Sequence, residues 1–409
     1  MLISVDAYRE QILAGVETLA PIALPLADSH GCVLAEDVVA PWPLPSFDNS
    51  SMDGYAVIAS DIHAASEENP VRLAVIDDVP AGRRADVPVT SGTAVRIMTG
   101  APVPEGAECI VPVELTDGGT EHVEIRGEVD PGAYIRRAGE DVIVGDTVVR
   151  AGTLLSSRHL AVIAAVGKGH LVVHPRPRVA VLSTGSELVE PGTPLTKGFI
   201  SDSNSFLLVA AANDAGAQAY RVPPVKDDAQ AFSAAIGDQL HRADLIITSG
   251  GVSMGAYDTV KEVFTQMGTV EFIKVAMHPG MPQGHGFVGE SEGERIPIIT
   301  LPGNPVSSFI SFQNFVRPVI DKLRGLTGRD RSRTTAEITK GMDSPQAKRQ
   351  FARGRFLVDG RVEPVGGGQG SHVIGGLAQS DCLIVIPEGV ARVNAGDRVD
   401  VVDLRGDTR

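Results

Sequence analysis

Cysteine is scarce in this chain. Among 409 residues there are three, Cys32, Cys109 and Cys382, and none forms a CxxC pair. That argues against a disulfide framework or a thiolate zinc site and fits a reducing compartment. Basic charge is also short: 36 Lys and Arg stand against 51 Asp and Glu, a formal charge of −15. So acidic a chain is a poor general binder of nucleic acid or anionic membranes. Long apolar runs are missing. The longest, around residues 160–166, is far too short to span a bilayer. The opening residues "MLISVDAYREQILAG" carry Asp6, Arg9 and Glu10, unlike a signal peptide. The expected compartment is the cytoplasm. No fixed-period repeat and no low-complexity tract occurs.

What is present suits a soluble globular protein. The chain is 43% hydrophobic with a mean hydropathy of +0.07, and its length suggests two to four domains. The N-terminus predicts a helix capped by Ser4, with Val5, Tyr8, Ile12 and Leu13 on one face. Residues 41–140 are rich in Pro, Gly, Val and Thr, with short apolar runs such as "RLAVIDDV" and "ECIVPVEL" between turn signals. They read as a β-rich domain. Residues 141–174 turn helical, with 160–166 as a buried segment. From Arg178 onward, strands alternate with amphipathic stretches. "RVAVLSTG", "AQAYRVPPVKDD", "ADLIITS" and "IPIIT" are the strands. "SNSFLLVAAANDAG", "AQAFSAAIGDQL" and "DTVKEVFTQMG" are the helices, followed by another over 307–323. This pattern predicts βαβ units on a mostly parallel sheet. The tail from Thr327 returns to β-like alternation. It holds 13 Lys and Arg against 11 Asp and Glu, so the rest of the chain stands at −17. Between Arg329 and Arg355 eight bases face three acids.

Ligands of open α/β sheets bind beyond the carboxyl ends of the strands, and here each predicted strand end carries polar chemistry. The first gives Ser183, Thr184, Gly185 and Glu187. The second gives Asp227 and Asp228. The third gives Ser249, Gly250, Gly251 and Ser253, then Asp258. The last gives Pro302, Gly303, Asn304 and Pro305 at the head of a helix. Glycines admit backbone N–H groups to an oxyanion. Glu187, Asp227 and Asp258 are hard oxygen ligands of the kind Mg²⁺ takes. Each piece has a plainer reading: Asp258 as a helix cap, Asp227 and Asp228 as a helix start, Gly250-Gly251 as a turn, "LPGNP" as a rigid turn with Pro305 at the first helical position. Together at one sheet edge they point to a small-anion site. Elsewhere, "PSFDNSSMDGYAV" reads by itself as a hairpin turn at Asp53-Gly54, "RIMTGAPVPEGA" as structural, and "RRAGED" as a salt-bridged loop.

Taken in order, "FDNSSMDGYAV", "RIMTGAPVPEGA", "AGEDV", "VAVLSTGSEL", "SDSN", "ITSGGVSMGAYD", "LPGNPVS" and "GQGSH" resemble the molybdopterin molybdenumtransferases of the MoeA and gephyrin E-domain type. The resemblance covers nearly the whole chain. It implies insertion of molybdate into adenylylated molybdopterin with release of AMP, Mg²⁺ dependence, and an elongated homodimer in which the β domain of one subunit faces the α/β domain of the other. It implies four domains: 1–40 with 141–175 as a helical linking domain, 41–140 β-rich, 176–326 α/β and molybdopterin-binding, and 327–409 β. By motif position the functional acids fall on Asp53, Asp141, Glu187, Asp227 and Asp258. Thr99, Lys274, Pro302, Pro305, Arg353 and Ser371 match further functional positions. Protein partners would be a molybdopterin adenylyltransferase and acceptor molybdoenzymes. Many relatives carry "KPGKP" where this chain reads His278-Pro-Gly-Met281-Pro282, so two fixed charges become an imidazole and a thioether. If His278 neutralises an oxyanion, affinity should weaken from about pH 6 to 8. Two other readings stand beside the enzyme: a molybdopterin-binding scaffold, as in the receptor-clustering gephyrin branch, and an adenylyltransferase-like protein. No receptor-docking extension supports the former, and the flanking β domains favour the molybdate-inserting step over the latter.

Overall fold

The structure, a computed structural model, describes residues 2–226, 228–251, 263–264, 270–289, 295–326, 333–366 and 368–408. Ser253, Asp227 and Asp258 therefore lie outside the described residues, as does most of the helix expected over "DTVKEVFTQMG", of which Val263 and Phe264 are helical and buried. The chain divides into two compact units. The first comprises residues 1–22, 31–33 and 172–409, and the second residues 23–30 and 34–171.

The first unit begins with α1, Val5–Ala14, whose N-cap Ser4 accepts a hydrogen bond from Ala7 N at 3.2 Å. Val5, Tyr8 and Ile12 are buried, as the spacing predicts, and Leu13 packs against the same cluster.

The second unit holds strands β1 Asn49–Ser50, β2 Gly54–Val57, β3 Val71–Val79, β4 Thr93–Ile97, β5 Cys109–Pro112, β6 His122–Ile125 and β7 Ile135–Arg136. Five of them form a sheet in the order β5-β2-β4-β3-β6, while β1 pairs with β7. Since β1 and β2 lie in different sheets, Asp53-Gly54 is not the tip of a hairpin. The helical expectation for 141–174 narrows to α2, Ser157–Ala165, of which Ile163 is fully buried. Ala161, Ala164 and Ala165 are exposed. The apolar run is therefore one face of an amphipathic helix and not a buried segment: its alanines are small enough to face water at little cost.

The α/β part of the first unit follows the predicted alternation: β8 Arg178–Thr184, α3 Asn204–Asp214, β9 Gln218–Val225, α4 Ala229–Gly237, β10 Leu245–Ser249, β11 Glu271–Lys274, β12 Met277–His278, β13 Pro282–Val288, β14 Ile296–Leu301, α5 Pro305–Ser311 and α6 Arg317–Leu323. The sheet order is β9-β8-β10-β14-β13-β11. Its first four strands are parallel, β13 runs antiparallel to β14, and β11, antiparallel to β13, points the same way as the first four. β8 and β10 are continuous apolar runs because helices cover both faces of a parallel sheet, and both are buried along nearly their whole length.

The tail supplies β15 Arg333–Glu337, β16 Arg349–Phe356, β17 Val362–Pro364, β18 Cys382–Ile386 and β19 Arg398–Asp403. They form a second sheet, β12-β16-β18-β19-β15, with β17 on β16. This sheet has no separate interior on one face. Phe351, Leu383, Val385 and Val402 join Val179, Leu301, Phe312 and Tyr8 in one apolar cluster.

Candidate functional site

The α/β sheet has a topological switch point. From β8 the chain goes to one side for β9 and to the other for β10, so the crevice beyond their carboxyl ends is where a ligand sits. Register places the ends level: Ser183 lies beside Ser249, and Ser249 beside Leu301. Three loops, each expected to carry site residues, thus open side by side.

A small set of side chains holds them. Asn204, at the start of α3, donates through Nδ2 to Ser249 Oγ and to Gly303 O, both at 2.7 Å. Among the described residues its Oδ1 is buried without a partner, an acceptor left open beside the loops it ties. Asp202, 1% exposed, accepts from Ser183 Oγ at 2.9 Å and Ser205 N at 3.1 Å, with Arg221 Nη2 at 3.4 Å. Ser308 Oγ donates to Pro302 O, and Thr184 Oγ1 donates to Ser249 O at 3.4 Å. Gly250 has φ +101°, and a Cβ there would stand 2.5 Å from Thr184 O. Gly303 faces it, with its Cβ position 3.7 Å from Gly250 Cα. Gly251 follows at φ +71°. Only a residue without a side chain at position 250 lets the second loop lie against the first. Asn204, Asp202 and Ser308 are the site residues that motif reading passed over. The signal for the first two was the "SDSN" stretch, two residues of which tie the sheet edge together.

Glu187 is exposed beside Gly185, whose Cβ position lies 2.6 Å from Glu187 Oε2. Among the described residues no group of three His, Cys, Asp or Glu is arranged to hold a metal, and of the three acids expected to do so Glu187 alone is described. Pro305 takes the first position of α5, with Asn304 as N-cap. Asn304 Nδ2 donates to Ser371 Oγ at 2.9 Å, and Val306 N donates to Ser371 O at 3.2 Å. The tail therefore delivers Ser371 to the cradle. Arg353 acts behind it. It is 1% exposed, and its guanidinium donates to the carbonyls of Gly368 and Val373 on either side of Ser371. What Arg353 touches is the loop.

Lys274 ends β11 opposite Pro282, and β13 runs antiparallel to β14. The two reversals return Lys274 to the carboxyl edge. It lies four strands from β8, roughly 19 Å at the spacing of neighbouring strands. His278 on β12 is half-buried. Burial, and then the nearby Lys348 charge, push its pKa below the ordinary histidine value. That shift favours the uncharged ring, because desolvation penalises the imidazolium.

Asp53, Thr99 and Asp141 lie in the second unit. Asp53 Oδ1 accepts from Thr99 N at 2.7 Å and from Thr99 Oγ1 at 2.9 Å. Those donors, the backbone one first, hold its carboxyl below the ordinary carboxylate range. Two residues 46 positions apart thus form one exposed acidic corner. Asp141 is exposed, with its N–H on Leu44 O at 2.9 Å. The neighbouring Arg137 pairs at 2.6 Å with Asp48, outside its own loop.

Family models match in chain order: the MoeA N-terminal region (domain I and II) over 3–167, a probable molybdopterin binding domain over 180–322, and the MoeA C-terminal region (domain IV) over 335–404. The chain is 47% identical to molybdopterin molybdenumtransferase 2 of Mycobacterium tuberculosis, covering 98% of this chain and 99% of the relative. It is 35% identical to the molybdopterin molybdenumtransferase of Haemophilus influenzae, covering 92% of each. The crystal structure of a molybdopterin biosynthesis MoeA protein from Pyrococcus horikosii superposes with a TM-score of 0.81 at 29% identity, covering 99% of this chain and 100% of that one. With the switch-point cradle and all three regions in order, the chain belongs to the molybdopterin molybdenumtransferase family.

Proposed function

We propose that this protein inserts molybdenum from molybdate into adenylylated molybdopterin, with cleavage of the phosphoanhydride and release of AMP. The observation that carries this reading is the cradle: Ser183–Gly185, Ser249–Gly251 and Pro302–Pro305 open level at the switch point. Small residues there admit backbone N–H groups to phosphate oxygens. Asn204 Oδ1 offers a buried acceptor among these donors. Lys274, at the far end of the same edge, is too distant to share a phosphate with Ser183. An extended ligand carrying charge at both ends suits that separation.

Of the three acids expected to hold the metal, Glu187 is the one described, and Asp227 and Asp258 follow from their motifs. These residues would hold Mg²⁺, whose chemistry at a phosphoanhydride is charge neutralisation. The Asp53–Thr99 corner would complete the site from a second copy of the chain in a homodimer. Upstream, an enzyme that adenylylates molybdopterin would supply the substrate, and molybdoenzymes would accept the product, in the cytoplasm. No helix among the described residues is long and apolar enough to cross a membrane.

The test is AMP release from adenylylated molybdopterin with and without molybdate. Molybdate-dependent release is expected, and Glu187→Ala should abolish it with little change in melting temperature. A Glu187→Ala protein of full activity would remove that residue from the site. Mixing inactive Asp53→Ala and Asp258→Ala chains should restore activity through mixed dimers. No recovery after confirmed subunit exchange would rule out a shared site.

A further inference from the structure

The opposite edge of the same sheet carries a second concentration of charge. Where β8 and β9 begin, a surface hollow of about 470 Å³ is lined by Arg176, Arg178, Asn213, Gln218, Tyr220 and Arg242. Three guanidiniums round one hollow are unexpected in a chain of charge −15. Two of them are fixed. Arg176 donates through Nε to Gly216 O at 3.1 Å and through Nη2 to Ala217 O at 2.7 Å. Arg178 is clamped on Asp244, Nε to Oδ2 at 3.2 Å and Nη2 to Oδ1 at 2.7 Å, while its side chain stays 50% exposed. In each case Nη1 is left over. The Arg242 side chain is exposed and forms no hydrogen bond or ion pair among the described residues. Asn213 Oδ1 accepts from Ala219 N at 3.0 Å, which turns its amide donors outward. The Tyr220 hydroxyl is spent on Gln239 Oε1 at 2.9 Å.

The free charged groups here are therefore guanidinium donors. Asp244 cancels one of three positive charges, and two remain. Guanidiniums held in place by carbonyls and a carboxylate lose little freedom on binding, and their planar forks match the edges of a tetrahedral oxyanion. The strands between this edge and the cradle are about 20 Å long at their rise per residue, so a single phosphate group cannot occupy both.

We propose that Arg176, Arg178 and Arg242 form a second anion site, at the amino edge of the α/β sheet, for a small molecule carrying one or two phosphate groups. Pyrophosphate titrated into the full-length protein in phosphate-free, low-salt buffer is the direct probe, read by calorimetry. Binding should weaken with added salt. Arg242→Ala, a change on an exposed turn, should weaken it about tenfold at unchanged melting temperature. Gly250→Ala, which disturbs the cradle, should leave this binding in place. Three results would overturn the proposal: an Arg242→Ala isotherm that overlays the wild type, pyrophosphate binding lost in Gly250→Ala alone, or Arg242-dependent binding of polyglutamate with none of pyrophosphate. The last would make the hollow a contact for acidic protein segments.

Discussion

At the scale of single residues, the cradle depends on atoms that are missing. A methyl group at Gly250 meets a backbone oxygen and forces a side chain into φ +101°. Gly250→Ala should cost on the order of 1–3 kcal/mol, seen as a lower urea midpoint, and should impair AMP release more than stability alone explains. Asn204→Ala removes the tie between the second and third loops and the open acceptor. The fold should survive it while substrate affinity falls. An Asn204→Ala protein with wild-type affinity would show that the unpaired Oδ1 meets no ligand. His278 sets a pH dependence different from the one its sequence position suggests. With the pKa lowered by burial, the ring gains charge only below its ordinary value near 6.5. Anion affinity should then be flat between pH 7 and 8 and rise below about pH 6. His278→Lys should bind the anion more tightly across the neutral range. A steady fall in wild-type affinity between pH 6.5 and 8 would instead mean that bound anion restores the imidazolium.

At the scale of elements, caps and ties decide how loops are held. Asp228 is the N-cap of α4 and accepts from Ala231 N at 2.8 Å. Asp228→Ala should destabilise by about 1 kcal/mol, as cap losses do. The tail loop around Ser371 is held from behind by Arg353, so Arg353→Met should act through that loop. Its signature is weaker substrate binding, with residual AMP release at saturating substrate. Removal of a group that contacts the reacting atoms would lower the maximal rate instead. α1 is bound to the tail by charge: Arg349 donates to Asp6 at 2.9 and 2.8 Å, and to Glu388 at 3.1 Å. The Arg349 bonds come first in holding the Asp6 carboxyl below the ordinary range. A depressed folded-state pKa stabilises above the unfolded-state value and is lost as pH falls through the folded one. The advantage of wild type over Asp6→Asn in urea midpoint should therefore be full at pH 6 and fade below about pH 4.

At the scale of the whole molecule, the tail sheet and the α/β sheet share an interior. Phe351 is 2% exposed and lies in one cluster with β8, β14 and the helices that follow. The first unit should thus unfold as one transition. Phe351→Ala should destabilise the α/β strands and the tail together, by about 3–5 kcal/mol, as large core truncations do. Hydrogen exchange that accelerates in the tail strands alone would contradict this.

The sequence by itself determined the local elements and marked the loops that open at the carboxyl edge of the sheet. Alternating apolar runs and amphipathic stretches specify strands and helices because each must bury one face or both. Strand ends rich in Gly, Ser and Pro mark the ligand edge because few other residues let backbone meet an oxyanion. Motif order was enough for the family. Tertiary structure alone decided the rest, because register, burial and long-range pairing are not written in any short stretch. It brought Asp53 onto Thr99, returned Lys274 to the carboxyl edge through two strand reversals, and made Asn204 and Asp202 the ties of the cradle. It placed Arg353 behind Ser371, took the His278 ring partly out of water, and brought Arg242 beside Arg176 and Arg178 at the far edge of the sheet.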